Sequence, residues 1–178
     1  MKGDKMEHNT EQYRVGQWIV HSQHGIGQIK QTEKLSLHGD IQTKELCFQV
    51  QTENGVFWFP VNQSDNPRVR PIITQENFNN ALETLQEPPE DTDAHHNILK
   101  GRINEAQHDG SIRTTVKLVR DLAARSSVKR SLNILEDKAL KLHTERIIRE
   151  WSLCFEISEK EARKKFEMLL NHSNLQTA

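Results

Sequence analysis

The chain has 178 residues, a length that allows one domain or two small domains and excludes large multidomain machinery. It carries 24 basic and 25 acidic residues, and its longest uninterrupted apolar run, residues 56–59, has four residues. A bilayer span needs about 20 apolar residues, so no membrane segment is predicted. The polar N-terminal residues show no apolar signal core and the two cysteines form no CxxC motif, so we expect a cytoplasmic protein.

The charge is unevenly distributed along the chain. Residues 100–149 hold twelve basic and six acidic residues, whereas residues 1–86 hold eight basic and ten acidic residues. Between them, residues 86–93 (QEPPEDTD) are acidic and contain two adjacent prolines, as is typical of a linker. We therefore predict three parts: a first domain over residues 13–86, a linker over 87–94 and a second domain over 95–171.

The first region has the pattern of a small β-sheet. Residues 18–20 (WIV) favour a strand, and the HGIG sequence at residues 24–27 contains two glycines that permit a tight reversal. Apolar and other residues alternate over residues 46–51, after which Asn54-Gly55 gives the strongest short-range signal for a β-hairpin. Together these signals predict a small curled sheet or barrel of four or five strands.

The remaining segments are predicted to be helical. Thr74 can cap a helix that Pro88 stops, and we expect this helix to close the first domain. Downstream, Gly110 separates two helices that should pair as an antiparallel hairpin, and Asn133 with Glu136 forms a capping arrangement ahead of a long helix. The predicted fold class is therefore α+β: a small β-barrel with one helix, followed by an all-α domain of about four helices.

The sequence contains no recognisable catalytic or metal-binding pattern. His21 and His24 are three residues apart, but they lie in a predicted strand and turn with no cysteine or carboxylate nearby. Gly25 and Gly27 lack the following helix and the Lys-Ser/Thr pair of a phosphate loop. We therefore expect a protein that is not an enzyme and needs no cofactor and no metal. The catalytic alternative is a metal-dependent enzyme that uses the histidines, which stoichiometric metal in the purified protein would reveal.

Residues 15–29 (VGQWIVHSQHGIGQI) resemble the opening motif of the CarD family of bacterial transcription regulators, whose pattern is Gly-Asp-x-Val-Val-His-x-x-His-Gly-x-Gly. Gln17 replaces the acid of that pattern. The resemblance spans residues 13 to about 151, and beyond the motif it follows residues 59–62, residues 69–74, Gly110, residues 119–122 and Asn133. It implies a Tudor-like, SH3-like barrel that docks on the β subunit of RNA polymerase, partly by strand pairing. It also implies a helical C-terminal domain that touches promoter DNA beside the opening bubble.

On the sheet, the resemblance implies positions that bind the polymerase. The family commonly has arginines in its polymerase-facing strands, and Leu35 and Trp58 occupy those positions here. Contact would therefore rely more on apolar surface, with Lys34 and Lys44 as further candidates. Trp58 lies between two phenylalanines, so strand alternation puts it on the face opposite both. It is either an exposed anchor or packed against the helix of residues 75–86.

In the helical domain, the resemblance implies contact with the phosphate backbone and, in many members, insertion of a tryptophan into the minor groove. His96 occupies the position of that tryptophan here. Basic residues that neutralise phosphates release counterions, so a cation-rich segment suits DNA contact. For Arg120, a structural salt bridge is the alternative to DNA contact. The candidate DNA-binding residues are His96, Lys100, Arg102, Arg113, Lys117, Arg120, Arg125, Lys129 and Arg130.

The resulting hypothesis is a bacterial transcription regulator, cytoplasmic and nucleoid-associated, that binds the RNA polymerase β subunit and modulates initiation through sequence-independent contact with promoter DNA. We expect a monomer with no membrane contact. The alternative is a protein-interaction adaptor that binds the polymerase, or another protein, without touching promoter DNA. His96 in place of tryptophan is consistent with this alternative, as are Leu35 and Trp58 in place of arginines.

Overall fold

The computed structural model describes residues 13–36, 44–62, 68–90, 95–129 and 131–176. Within these ranges, five antiparallel strands precede five α-helices, which confirms the α+β class with the sheet first. The strands are β1 (Trp18–His21), β2 (Gly25–Leu35), β3 (Glu45–Thr52), β4 (Gly55–Pro60) and β5 (Val69–Pro71). The helices are α1 (Gln75–Glu83), α2 (His96–Asp109), α3 (Ile112–Lys129), α4 (Ile134–Phe155) and α5 (Glu159–Gln176). A short 3-10 helix, Thr84–Gln86, follows α1.

The five strands form one sheet in the order β4-β3-β2-β1-β5. The hairpin at Asn54-Gly55 is confirmed, because Thr52 pairs with Gly55 across the turn that joins β3 to β4. In its hydrogen bonding the predicted barrel is an open sheet, because the described parts of β4 and β5 do not pair with each other. One face of the sheet buries an aromatic and aliphatic core that contains Tyr13, Ile19, Ile29, Phe48, Val50, Phe57, Phe59 and Val69.

Helix α1 belongs to the helical core, which corrects the expectation that it closes the sheet domain. It begins as predicted, with the Asn77 backbone N–H donating to the Thr74 hydroxyl at 3.3 Å. Its apolar stripe, however, packs with α3, α4 and α5 instead of against the sheet core. An amphipathic stripe specifies that a helix is covered on one face without specifying what covers it, which is why the sequence did not assign the partner. The predicted domain bounds at residue 86 and residue 95 stay a prediction.

The remaining helices follow the predicted signals. Gly110 ends α2 in the left-handed conformation (φ +64°), and Asn133 and Glu136 form a capping box at the start of α4. A second apolar cluster joins α2, α3 and α4 through Leu99, Ile103, Ala106, Leu118, Leu122 and Ala139. The helical hairpin of α2 and α3 therefore packs on the first half of α4.

Polar contacts join the sheet to the helices. The Arg70 guanidinium in β5 donates to both carboxylate oxygens of Glu150 in α4, at 2.5 and 2.8 Å, and to the Gly110 carbonyl at 2.7 Å. Arg146 in α4 donates to the Ser22 carbonyl, in the turn between β1 and β2, at 3.0 Å. These contacts place the start of the HGIG turn directly against α4.

His143 in α4 makes the stability of this arrangement depend on pH. Its ring is fully buried, and neither ring nitrogen has a hydrogen-bond partner among the described residues. Burial, and then the nearby charge of Arg146, lowers the pKa of His143 from 6.5 to about 4. Between pH 6.5 and pH 4, His143 therefore carries a proton in the unfolded chain but not in the folded chain. The free energy of unfolding accordingly falls as the pH drops from 6.5 towards 4.

We expect His143 to make the protein about 2 kcal/mol less stable at pH 5 than at pH 7. Urea denaturation at both pH values measures this difference, and the His143→Leu variant should show a smaller one. Some dependence should remain in the variant, because burial also lowers the pKa of His21 to about 4. An identical pH dependence in the two proteins would contradict this role of His143.

Candidate functional site

Trp58 lies on the surface of the sheet at its β4 edge. It pairs with Gln49 of β3, and Gln49 pairs in turn with Gln31 of β2, so these three residues share one face, called the outer face below. Trp58 is 41% exposed, whereas Phe57 and Phe59 on either side of it belong to the sheet core. Since α1 packs among the other helices, the structure agrees with Trp58 as an exposed side chain and not with packing against residues 75–86.

Leu35 lies on the same outer face as Trp58, while Lys34 lies on the opposite face. Leu35 pairs with Glu45, which is four residues from Gln49 along β3, and β3 lies between the strands of Leu35 and Trp58, so these two residues are about 16 Å apart. Lys34 pairs with Leu46 and therefore points to the other side of the sheet. Lys44 is exposed just before β3 begins. Two of the four predicted polymerase-binding residues thus share a face, and the role of all four stays a prediction.

Sequence reasoning missed two acids on the outer face. Glu33 pairs with Cys47, and Glu45 pairs with Leu35, so both carboxylates flank the apolar positions of this face. Burial, followed by the charges of Glu45 and Glu33, raises the pKa of the Cys47 thiol. Placing these acids on the face of Trp58 requires the pairing register of β2, β3 and β4. The sequence alone does not give that register. The outer face is therefore apolar and acidic near Leu35.

The edge of the sheet next to Trp58 is open to strand pairing. Among the described residues, β3 is the one strand that pairs with β4, which leaves the other side of β4 without a strand neighbour. An edge of this kind carries unpaired backbone donors and acceptors that a strand from another protein can complete. The open edge and the exposed tryptophan are therefore adjacent.

Three of the predicted DNA-binding arginines are taken up by contacts inside the fold. The Arg120 side chain is 1% exposed and donates to Asp121 at 2.7 Å and to the Thr84 carbonyl at 3.0 Å. Arg125 donates to Glu136 at 3.3 Å, and Arg102 forms an ion pair with Asp121. These ion pairs and their burial leave the three guanidinium groups less accessible to phosphates, and their assignment as DNA-binding residues stays a prediction. For Arg120, the structural salt bridge is the interpretation that holds.

The other candidates whose side chains are described are more accessible. Arg113 is 60% exposed, and Lys117 is partly exposed on the same side of α3. Lys100 is exposed on α2. His96 begins α2, with Nδ1 2.9 Å from the Asn133 side-chain nitrogen at the start of α4. Arg130 and the side chain of Lys129 lie outside the described residues.

The described part of the chain also bears on membranes and metals. None of its helices is long and apolar enough to cross a bilayer. Its histidine, cysteine and acidic side chains do not form a group of three or more that could hold a metal ion.

The sheet region of the chain is similar to a known family of protein domains. The family model described as the CarD-like/TRCF RID domain matches residues 13–73. The matched range contains all five strands and ends before α1, so it covers the sheet and its outer face. No curated protein matches the chain.

Proposed function

We propose that this CarD-like protein, whose residues 13–73 are an RNA polymerase-interacting domain, binds the polymerase β subunit through the outer face and open edge of its sheet. This domain makes the chain a transcription-related protein. Within the domain, the proposal rests on one observation: Trp58 is exposed at an edge strand that, in the part of the chain that the structure describes, has β3 as its one strand neighbour. Tryptophan is enriched among residues that dominate binding energy, and an adjacent strand edge supplies backbone contacts.

The Trp58→Ala variant of the full chain should bind the purified β subunit about 30-fold more weakly, corresponding to about 2 kcal/mol for a hot-spot residue. The thermal unfolding midpoint should change little, because the side chain is not part of the sheet core. A matched control is Ile134→Ala, which truncates another exposed apolar side chain, at the start of α4. Equal affinities of wild type, Trp58→Ala and Ile134→Ala would contradict the proposed interface.

Contact with promoter DNA by the helical region is a second candidate function. It is supported by the exposure of Lys100 and Arg113 and by the excess of six positive charges in residues 100–149. With this contact, the protein would modulate initiation from a cytoplasmic, nucleoid-associated location. Duplex binding that weakens with salt is its signature, since neutralised phosphates release counterions.

The adaptor alternative is supported by the ion pairs of the helical region. Arg102, Arg120 and Arg125 all face acids of the same chain, which leaves fewer cations for phosphates than the sequence suggests. An adaptor would bind the β subunit and show no salt-dependent duplex binding. In either form we propose a protein without catalytic activity.

A further inference from the structure

Residues 84–90, called the acidic strap below, run beside α3 and place two carboxylates against its basic side chains. Glu87 lies 3.6 Å from Arg113 and 3.7 Å from Lys117, measured between side-chain oxygen and nitrogen. Glu90 lies 3.9 Å from Lys117. Both acids also approach Arg120, at 3.3 and 3.8 Å. The basic side of α3 is therefore faced by acids of the segment that the sequence presents as a linker.

Buried groups of α3 hold the backbone of the acidic strap in place. Arg120 donates to the carbonyl of Thr84 at 3.0 Å, and the backbone N–H of Glu90 donates to Asp121 at 3.0 Å. The side chains of Arg120 and Asp121 are each 1% exposed. Hydrogen bonds to charged groups away from water are stronger than those at the surface. Both ends of the acidic strap are thus fixed to α3.

The carboxylates of the strap are held much less firmly than its backbone. Glu87 and Glu90 are 43% and 57% exposed, and their contacts with Arg113 and Lys117 are longer than 3.5 Å. Exposed ion pairs of this kind contribute about 0–1 kcal/mol each. A phosphate group could therefore displace the two carboxylates from Arg113 and Lys117 while the backbone of the strap stays in place, because Arg120 keeps its hydrogen bonds to Asp121 and to the Thr84 carbonyl.

We propose that the acidic strap is an autoinhibitory contact that lowers the affinity of α3 for the phosphate backbone of duplex DNA. The carboxylates of Glu87 and Glu90 take the positions beside Arg113 and Lys117 that phosphate oxygens would occupy. DNA must displace these carboxylates before its phosphates can contact Arg113 and Lys117. The strap therefore reduces the affinity of the protein for DNA and the number of counterions that the DNA releases on binding. This inference rests on the second candidate function and is independent of polymerase binding by the sheet.

The test is a fluorescence anisotropy titration of the full chain with a labelled duplex of about 20 base pairs at several salt concentrations. Glu87→Gln/Glu90→Gln should lower Kd about five- to tenfold at low salt, as expected from losing up to three exposed ion pairs. Its plot of log affinity against log salt should be steeper by about two, because two more cations meet phosphates. Adding Arg113→Ala and Lys117→Ala to this variant should remove the gain.

A matched control removes the same net charge elsewhere. Glu145→Gln/Glu161→Gln neutralises two exposed acids that pair with Arg163 and Lys165, and it should change Kd less than twofold. Equal gains from the two double variants would overturn the proposal, since net charge alone would then explain them. An unchanged Kd for Glu87→Gln/Glu90→Gln would also overturn it.

Failure of duplex binding in every protein would remove the autoinhibitory contact together with the second candidate function. The Trp58→Ala comparison with the β subunit would then still decide the proposed polymerase interface, because that measurement contains no DNA.

Discussion

Asp121→Asn is expected to destabilise the protein by about 3–5 kcal/mol, the usual cost of removing one partner of a buried ion pair. Asp121 is 1% exposed, forms an ion pair with Arg102 and accepts from Arg120 at 2.7 Å. It also accepts the backbone N–H of Glu90 at 3.0 Å. The asparagine would leave the Arg120 charge buried without its nearest counter-charge and would turn an amide nitrogen or a neutral oxygen towards the two guanidinium groups.

Urea denaturation at pH 7 measures this loss, with Asp137→Asn as the control. Asp137 pairs with Lys141 one helical turn away at 2.8 Å, and both side chains are exposed. Such a pair contributes about 0.2–0.5 kcal/mol. If both variants lost the same small amount of stability, the buried ion pairs of Asp121 would not stabilise the fold.

Gly27→Ala is expected to destabilise the protein by about 3 kcal/mol, at the upper end of the cost of overpacking a core. A Cβ at this position would lie 2.6 Å from Val50 Cγ1, 2.9 Å from the Gln51 carbonyl oxygen and 2.9 Å from Thr52 Cγ2. The Gln51 oxygen is backbone in the neighbouring strand β3, so relief requires the strands to separate. The glycine at this position therefore allows β2 and β3 to approach closely.

Gly101→Ala in α2 is the matched control for this clash. A Cβ at Gly101 meets nothing within 4 Å, and alanine favours a helix over glycine by about 1 kcal/mol, so this variant should be slightly more stable than wild type. Thermal and chemical denaturation of the two variants should therefore shift in opposite directions. Destabilisation of both by the same amount would contradict the close approach of β2 and β3.

Local signals in the sequence were sufficient for the elements of this fold. The Asn54-Gly55 hairpin and the Asn133–Glu136 capping box each depend on residues within four positions of one another, and both are present. Gly25 has the positive φ of +77° that its place in the turn suggested. Gly27 does not have a positive φ. The absence of a side chain at Gly27 leaves room for Val50 of β3, and this contact follows from the pairing of β2 with β3, which the sequence does not give.

The candidate site could be predicted only in part, because its contacts are distant in sequence. Strand alternation was enough to put Trp58 opposite its neighbours, and the structure leaves it exposed. The basic segment of α3 was identified, but composition alone could not show that Glu87 lies against Arg113 or that Glu136 pairs with Arg125. Acidic residues before a helical region are typical of a solvated linker. In the folded chain, however, Glu87 and Glu90 lie against the surface of α3.

Hydrogen–deuterium exchange of the full chain with and without the polymerase β subunit tests the central claim most directly. We expect amide protection to appear in β4, where the open edge gains hydrogen bonds from a partner, while α2–α5 keep their exchange rates. Protection confined to the helices, or exchange in β4 that the β subunit leaves unchanged, would contradict binding through the outer face and its edge.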